Sequence, residues 1–181
     1  YKSLLFEIVE KETDVEVAKE ICKFIGKFAY SILEGIYGPQ VTWEQLLPRL
    51  GKMLFSGIDK NVVCGFVISR YLLEAEDLVM TYTKEMIGMY KMGLKSPSKE
   101  VQLAALSSLA EGGEASIPAN LKAFKVLAPD VLSCFESLIF DGKENCQKAT
   151  NYITLMVAHI PTFLEKHIKA ISTLVAKFVM E

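Results

Sequence analysis

The chain has 181 residues, 51% of them hydrophobic, enough for one or two ordinary domains or a short array of stacked repeats. Eleven Gly and six Pro are too few for an all-β protein full of turns, and a formal charge of −2 at pH 7 leaves no basic footprint for nucleic acid. Lys, Glu or Gly interrupt the apolar runs short of a membrane span, and no signal-peptide pattern is legible.

The chain then reads as a succession of amphipathic helices. Residues 2–10 form a short one carrying Leu4, Leu5, Ile8 and Val9. Thr13-Asp14 restarts the chain, and 14–34 is a long helix. Its 3.6-residue period buries Val17, Ala18, Ile21, Cys22, Ile25, Phe28, Ala29 and Ile32. A loop, Gly35-Ile-Tyr-Gly-Pro, follows. Thr42 is expected to cap the next helix, with Gln45 completing a capping box and Pro48 kinking it. Asp59 is the expected cap of 60–74, which is apolar nearly all round and so belongs between neighbours.

Residues 78–94 read as one helix whose apolar arc covers about half its circumference, wider than one packing stripe needs. Met80, Met89 and Met92 lie at or beyond the edges of that arc, either as gap-fillers or as adaptable binding surface. Ser98, after Pro97, caps a helix to Glu111 with a Val101/Ala105/Leu109 stripe. Gly112-Gly113 and a loop to Pro118 end it. Within 120–140, Pro129 predicts a kink or a break. Asp141-Gly142 turns the chain into 143–160, Pro161 stops that helix, and Thr162 caps a last one carrying Leu164, Ile168, Ile171, Leu174, Val175 and Phe178.

The turns near Asp14, Asp59, Ser98 and Asp141 recur at about 45, 39 and 43 residues, the period of HEAT-type helix pairs. A single pair cannot bury its apolar surface, so stacked pairs share one core. The expected fold is an all-α HEAT-repeat α-solenoid of antiparallel pairs in a right-handed superhelix, with about four and a half repeats. It is one array over 1–181, with repeats near 1–34, 42–74, 77–111, 118–160 and an incomplete 162–181. Both ends fall inside helical patterns, so the chain reads as a fragment of a longer one.

No catalytic pattern is present. Cys22, Cys64, Cys134 and Cys146 lack CxxC spacing and read as reduced, buried thiols. His159 and His167 stand on different helices without HExxH, and there is no GxxxxGK[ST], GxGxxG or GxSxG. The sequence gives no reason to expect an enzyme, a metal or a cofactor.

Thr42-Trp43-Glu44-Gln45-Leu46-Leu47-Pro48 resembles the W-P-E-L-L start of HEAT repeats in the importin-β (karyopherin-β) superfamily, without the Pro after Trp43. Pro97-Ser-Lys-Glu-Val-Gln-Leu-Ala-Ala-Leu resembles the importin-4/importin-5 branch most. So does 131–140 followed by Lys148-Ala149 and by Ile160-Pro161, Leu164 and His167, which follow that branch's Val-Pro-x-x-Leu-x-x-His pattern. The opening helices are similar to its third repeat, which places the segment at repeats three to seven.

The resemblance implies a nuclear import receptor that shuttles between cytoplasm and nucleus. Such a receptor carries protein cargo with basic import signals, binds Phe-Gly nucleoporins and releases cargo to Ran-GTP; direct nucleic-acid binding and membranes are not implied. A non-transport HEAT scaffold for a multiprotein complex is the alternative. On the resemblance, second helices line a concave cargo- and Ran-binding face. Helical spacing puts Glu16, Glu20, Lys23 and Tyr30, then Glu100, Ser107, Glu111 and Glu114, then Lys148, Asn151 and Leu155 on that side. The expectation is an acidic strip that attracts basic cargo, against a plain solvated face. Nucleoporin contacts are expected at Met89, Met92, Phe124 and Leu138, in a cleft between 78–94 and 120–140.

Overall fold

The computed structural model describes residues 2–38, 40–115 and 120–180, and these form helices with no strand among them. Helix α1 spans Lys2–Lys11, α2 Val15–Leu33, α3 Leu46–Leu54 and α4 Asp59–Leu72. They are followed by α5 Glu76–Thr81, α6 Thr83–Leu94 and α7 Lys99–Ala115. A 3-10 stretch, Asn120–Leu127, leads into α8 Ala128–Ile139 and α9 Lys143–His159. The chain closes with α10 Pro161–Leu164, a 3-10 turn Glu165–His167 and α11 Ile168–Met180.

The helices pack in two layers. In one row α2 packs on α4, α4 on α7 and α7 on α9. Against them lie α1 on α2, α3 on α4, α6 on α7 and α8 on α9. This stacking of helix on helix is consistent with an α-solenoid. The four turns singled out by their spacing each open a helix of the first row. Asp14 accepts from the backbone N–H groups of Glu16 and Val17 and caps α2. Ser98 lies just before α7, and Gly142, at φ 96°, takes the left-handed conformation that starts α9.

One core runs the length of the stack. Val62, Phe66, Ala105, Leu109, Ala149 and Ile153 are all buried, and Phe66 and Ala105 pack on Gly93 of α6 in the other layer. Helix α4, sandwiched between α2 and α7, buries nearly every side chain from Val62 to Leu72. Glycines set the closest approaches. A Cβ on Gly93 would lie 2.3 Å from the Phe66 ring, and one on Gly112 would lie 2.6 Å from the Arg70 carbonyl oxygen. Gly112 is therefore a packing residue inside α7 and not the end of the helix, which runs on to Ala115.

Several expected boundaries are corrected. Thr42 does not cap α3. The helix begins at Leu46 with Gln45 at the cap and no side-chain cap bond, so no capping box forms. Trp43 is instead tucked beneath it, its ring 5.7 Å from Phe6 and 5.8 Å from Phe28. Pro48 sits in the first turn, where a missing N–H costs nothing, and α3 runs through it. Asp59 is the first helical residue of α4, with Ile58 at the cap.

The helix expected over 78–94 breaks at Tyr82 (φ −114°, ψ 25°). There the Thr81 and Thr83 hydroxyls donate to the carbonyls of Asp77 and Val79 and compete with the helical ladder. Pro129 sits in the first turn of α8, at the break between Leu127 and Ala128. Ile160, not Thr162, caps the last segment, which breaks again at Glu165.

Val17, Ile168 and Val175 are exposed, because no helix covers those sides of α2 and α11 among the described residues. Pro39, the loop to Pro118 and the side chain of Phe178 lie outside the described residues. No described helix is long and apolar enough to cross a membrane.

Polar links tie the layers together. Lys60 of α4 donates to the carbonyls of Val9, Glu10 and Glu12 at 3.2, 3.3 and 2.6 Å and so caps the end of α1. Lys99 of α7 donates to the Ser137 carbonyl at 3.1 Å and to its hydroxyl. Tyr90 and Ser108 share a buried hydrogen bond of 2.8 Å, and burial pushes the Tyr90 phenol well up despite it. All four cysteines are free and buried, and burial pushes the Cys134 thiol up to about 12.

Candidate functional site: an ion-paired groove

Four helices of the first row, α2, α4, α7 and α9, bend around a groove of about 660 Å³. The bend is tight. Lys19 of α2 reaches Glu100 of α7 at 3.6 Å, passing over α4 between them. The floor is apolar: Val63 and Phe66 lie beneath, and Val67, Leu103 and Ala104 are half-buried at its surface. Small side chains, Ala104, Ser107 and Ser108, keep it open along α7.

The walls are charged. Lys19, Lys23, Arg70, Lys99 and Lys148 line the groove against Glu16, Glu100 and Glu111. The groove is thus more basic than the chain, whose net charge is −2. The expected acidic strip, drawn over α2, α7 and α9, left out Lys19, Arg70 and Lys99, which with Lys23 and Lys148 outnumber the three carboxylates of the groove. Glu111 is ion-paired with Arg70 and accepts from the Ser107 hydroxyl at 3.0 Å. Arg70 also lies over the Tyr71 ring, 5.2 Å from its centroid, and its Nε is buried without a partner.

Lys19 bonds Glu16 at 2.8 Å. Burial pulls the Lys19 ammonium down. The Glu16 hydrogen bond and the charges of Glu16 and Glu100 outweigh it, leaving the pKa above the usual lysine value. Lys23 pairs with Glu20 at 2.5 Å, and that hydrogen bond raises it. Lys148 pairs with Glu144 at 2.6 Å.

Of the residues expected on the concave face, Glu16, Lys23, Glu100, Ser107, Glu111 and Lys148 come together in this groove. Glu20 stands outside it as the partner of Lys23. Tyr30 is half-buried elsewhere on α2, where burial, then the Glu34 and Glu74 carboxylates, raise its phenol. Glu114 contacts His159 Nε2 at 3.3 Å beyond the groove. Asn151 is exposed away from it, and Leu155 packs on the core. Sequence reasoning missed Lys19, Arg70, Lys99, Asn145 and Tyr152. One signal was available: Arg70 is the sole charged residue between Asn61 and Leu73.

The outer layer carries a second cavity, of about 230 Å³, between α3 and α5–α6. Leu47, Leu54, Tyr82, Met86 and Met89 line it, with Ser69 and Leu72 of α4 at its base. It lies on the other side of α6 from the expected cleft. Phe124 and Leu138 are fully buried and Met92 is half-buried, and none of the three lines the groove or this cavity. Only Met89 joins the cavity. It is itself a core residue, 7% exposed, with the Ser69 hydroxyl 3.7 Å from its sulfur.

No family model matches this chain, and no curated protein or solved structure matches it. Among the described residues no group of three or more His, Cys, Asp or Glu is placed to hold a metal ion.

Proposed function

We propose that the chain is a HEAT-repeat segment of a karyopherin-β-type nuclear import receptor, and that it holds protein cargo in the groove of its inner helices. The observation that carries this reading is the groove itself. Four consecutive helices of the first row converge on one open surface lined by charged side chains. Stacked pairs turn small rotations between neighbours into changes of such a surface, which suits capture and release of a partner. On this reading Phe-Gly nucleoporins insert their rings into the outer cavity between α3 and α5–α6, where Met89, Met86 and Leu54 present apolar walls. Ran-GTP competes for the inner face, and the protein shuttles between cytoplasm and nucleus.

The test is capture of Ran by the immobilised chain. Ran loaded with GTP is retained and Ran loaded with GDP is not. Equal retention, or none, removes the transport reading and leaves the HEAT scaffold for assembling other proteins.

A further inference from the structure

We infer that the groove of α2, α4, α7 and α9 takes an extended peptide segment in which acidic side chains alternate with apolar ones. The inference rests on the reading of this groove as a protein-binding surface and names the chemistry of its occupant.

The argument begins with which charges are already satisfied. Glu111 is paired with Arg70 inside the groove, and Glu16 and Glu100 share the single Lys19. A basic ligand competes with Lys19 for Glu16 and Glu100 and with Arg70 for Glu111. Lys23 and Lys148 are different. They stand on opposite walls, on α2 and α9, and are each about half exposed. Their carboxylate partners, Glu20 and Glu144, lie outside the groove on the same helices, at spacings of three and four residues. Such pairs on an exposed helix surface are weak and exchange with solvent or ligand readily.

With five cations against three carboxylates, the groove lining is positive on balance, and Lys23 and Lys148 put half-exposed positive charge on both walls. Between the walls the half-buried surface of Val67, Leu103, Ala104 and Tyr152 is apolar and selects aliphatic side chains. A nucleic-acid strand fits less well, because its unbroken row of phosphates would cross the apolar surface between the walls, where no cation meets it. A peptide places its carboxylates at the walls and its apolar residues between them.

Two exposed double variants and three labelled probes test this by fluorescence anisotropy on the full chain. The probes are a peptide alternating Glu with Val, its counterpart with Lys for Glu, and single-stranded oligouridylate. The Glu peptide binds tightest, and its affinity falls as salt is added. Lys23→Glu with Lys148→Glu weakens it at least about tenfold. Glu20→Gln with Glu144→Gln, which frees both lysines, strengthens it. Strengthening cannot come from damage to the fold, so it separates a binding role from a structural one.

Tighter binding of the Lys peptide or of oligouridylate overturns the proposal, as does failure of all three probes to bind. Unchanged affinity in the variant lacking Glu20 and Glu144 also overturns it. The Ran assay fails or succeeds independently, so loss of the transport reading with the Glu peptide still bound leaves this inference standing.

Discussion

The inner groove and the outer cavity are built from the same stack and differ in what their walls are for. The walls of the outer cavity are mostly core residues, with Leu50, Leu54, Leu72, Met86 and Met89 all buried and Phe55, Tyr82 and Glu85 exposed at its rim. It is the shared core of α3, α4 and α6 seen from outside. The walls of the inner groove are charged side chains on a row of helices whose core lies on the opposite side, and Glu16, Lys23, Glu100 and Lys148 stand at its surface. Exposed or half-exposed side chains such as Glu16, Lys23 and Lys148 can change on the inner wall without touching the packing, and Leu54, Met86 and Met89 on the outer wall cannot.

Phe66 marks where the contrast ends, since it lies under the groove floor while packing on Tyr90, 5.6 Å between rings, and against Gly93. Phe66→Ala is expected to lower the unfolding free energy by about 3–5 kcal/mol in urea titration, as for other buried aromatic truncations. A loss below about 1 kcal/mol would mean the floor is not part of the core. Met89→Ala in the outer cavity is expected to cost about 2–3 kcal/mol, because a buried thioether is lost beside an existing void. A polar substitution there lowers the melting temperature too, so any loss of Phe-Gly binding must be read against stability.

Gly112→Ala sharpens the inner side of the comparison. Its Cβ would press on the Arg70 carbonyl and on Leu73, at 2.6 and 2.8 Å, and force α4 and α7 apart beneath the groove. The expected cost is about 1–3 kcal/mol by thermal melts with calorimetry. Lys23→Ala, on the groove wall, is expected to move stability by no more than about 0.5 kcal/mol. A larger loss would place that wall in the core after all and erase the distinction.

The fold was more legible than the surface. Helical period and turn residues name a layer order because burial acts on every residue of an amphipathic face. The starts of α2, α4, α7 and α9 accordingly fall at Asp14, Asp59, Ser98 and Asp141 or within two residues of them. Local polar competition was not legible: the Thr81 and Thr83 hydroxyls split one apolar run into α5 and α6. Half of the groove could be read because Glu100, Ser107 and Glu111 share one side of one helix. Its charge could not, since Arg70 and Lys19 meet those carboxylates only through packing between helices. Phe124 and Leu138 failed for a related reason. Apolar residues on an outer helix look alike in sequence whether they close the core or border a cavity.

The contact between Lys19 and Glu100 carries a consequence for how the chain assembles. Packing in the inner row joins each helix to the next, so structure can spread from pair to pair through nearest neighbours. The Lys19–Glu100 pair skips a neighbour, joining α2 to α7 over α4. It can close only after three successive pairs have docked. In a folding experiment that contact is a clock, reporting when the third pair arrives and dividing the growth of the stack from its completion as a curved surface.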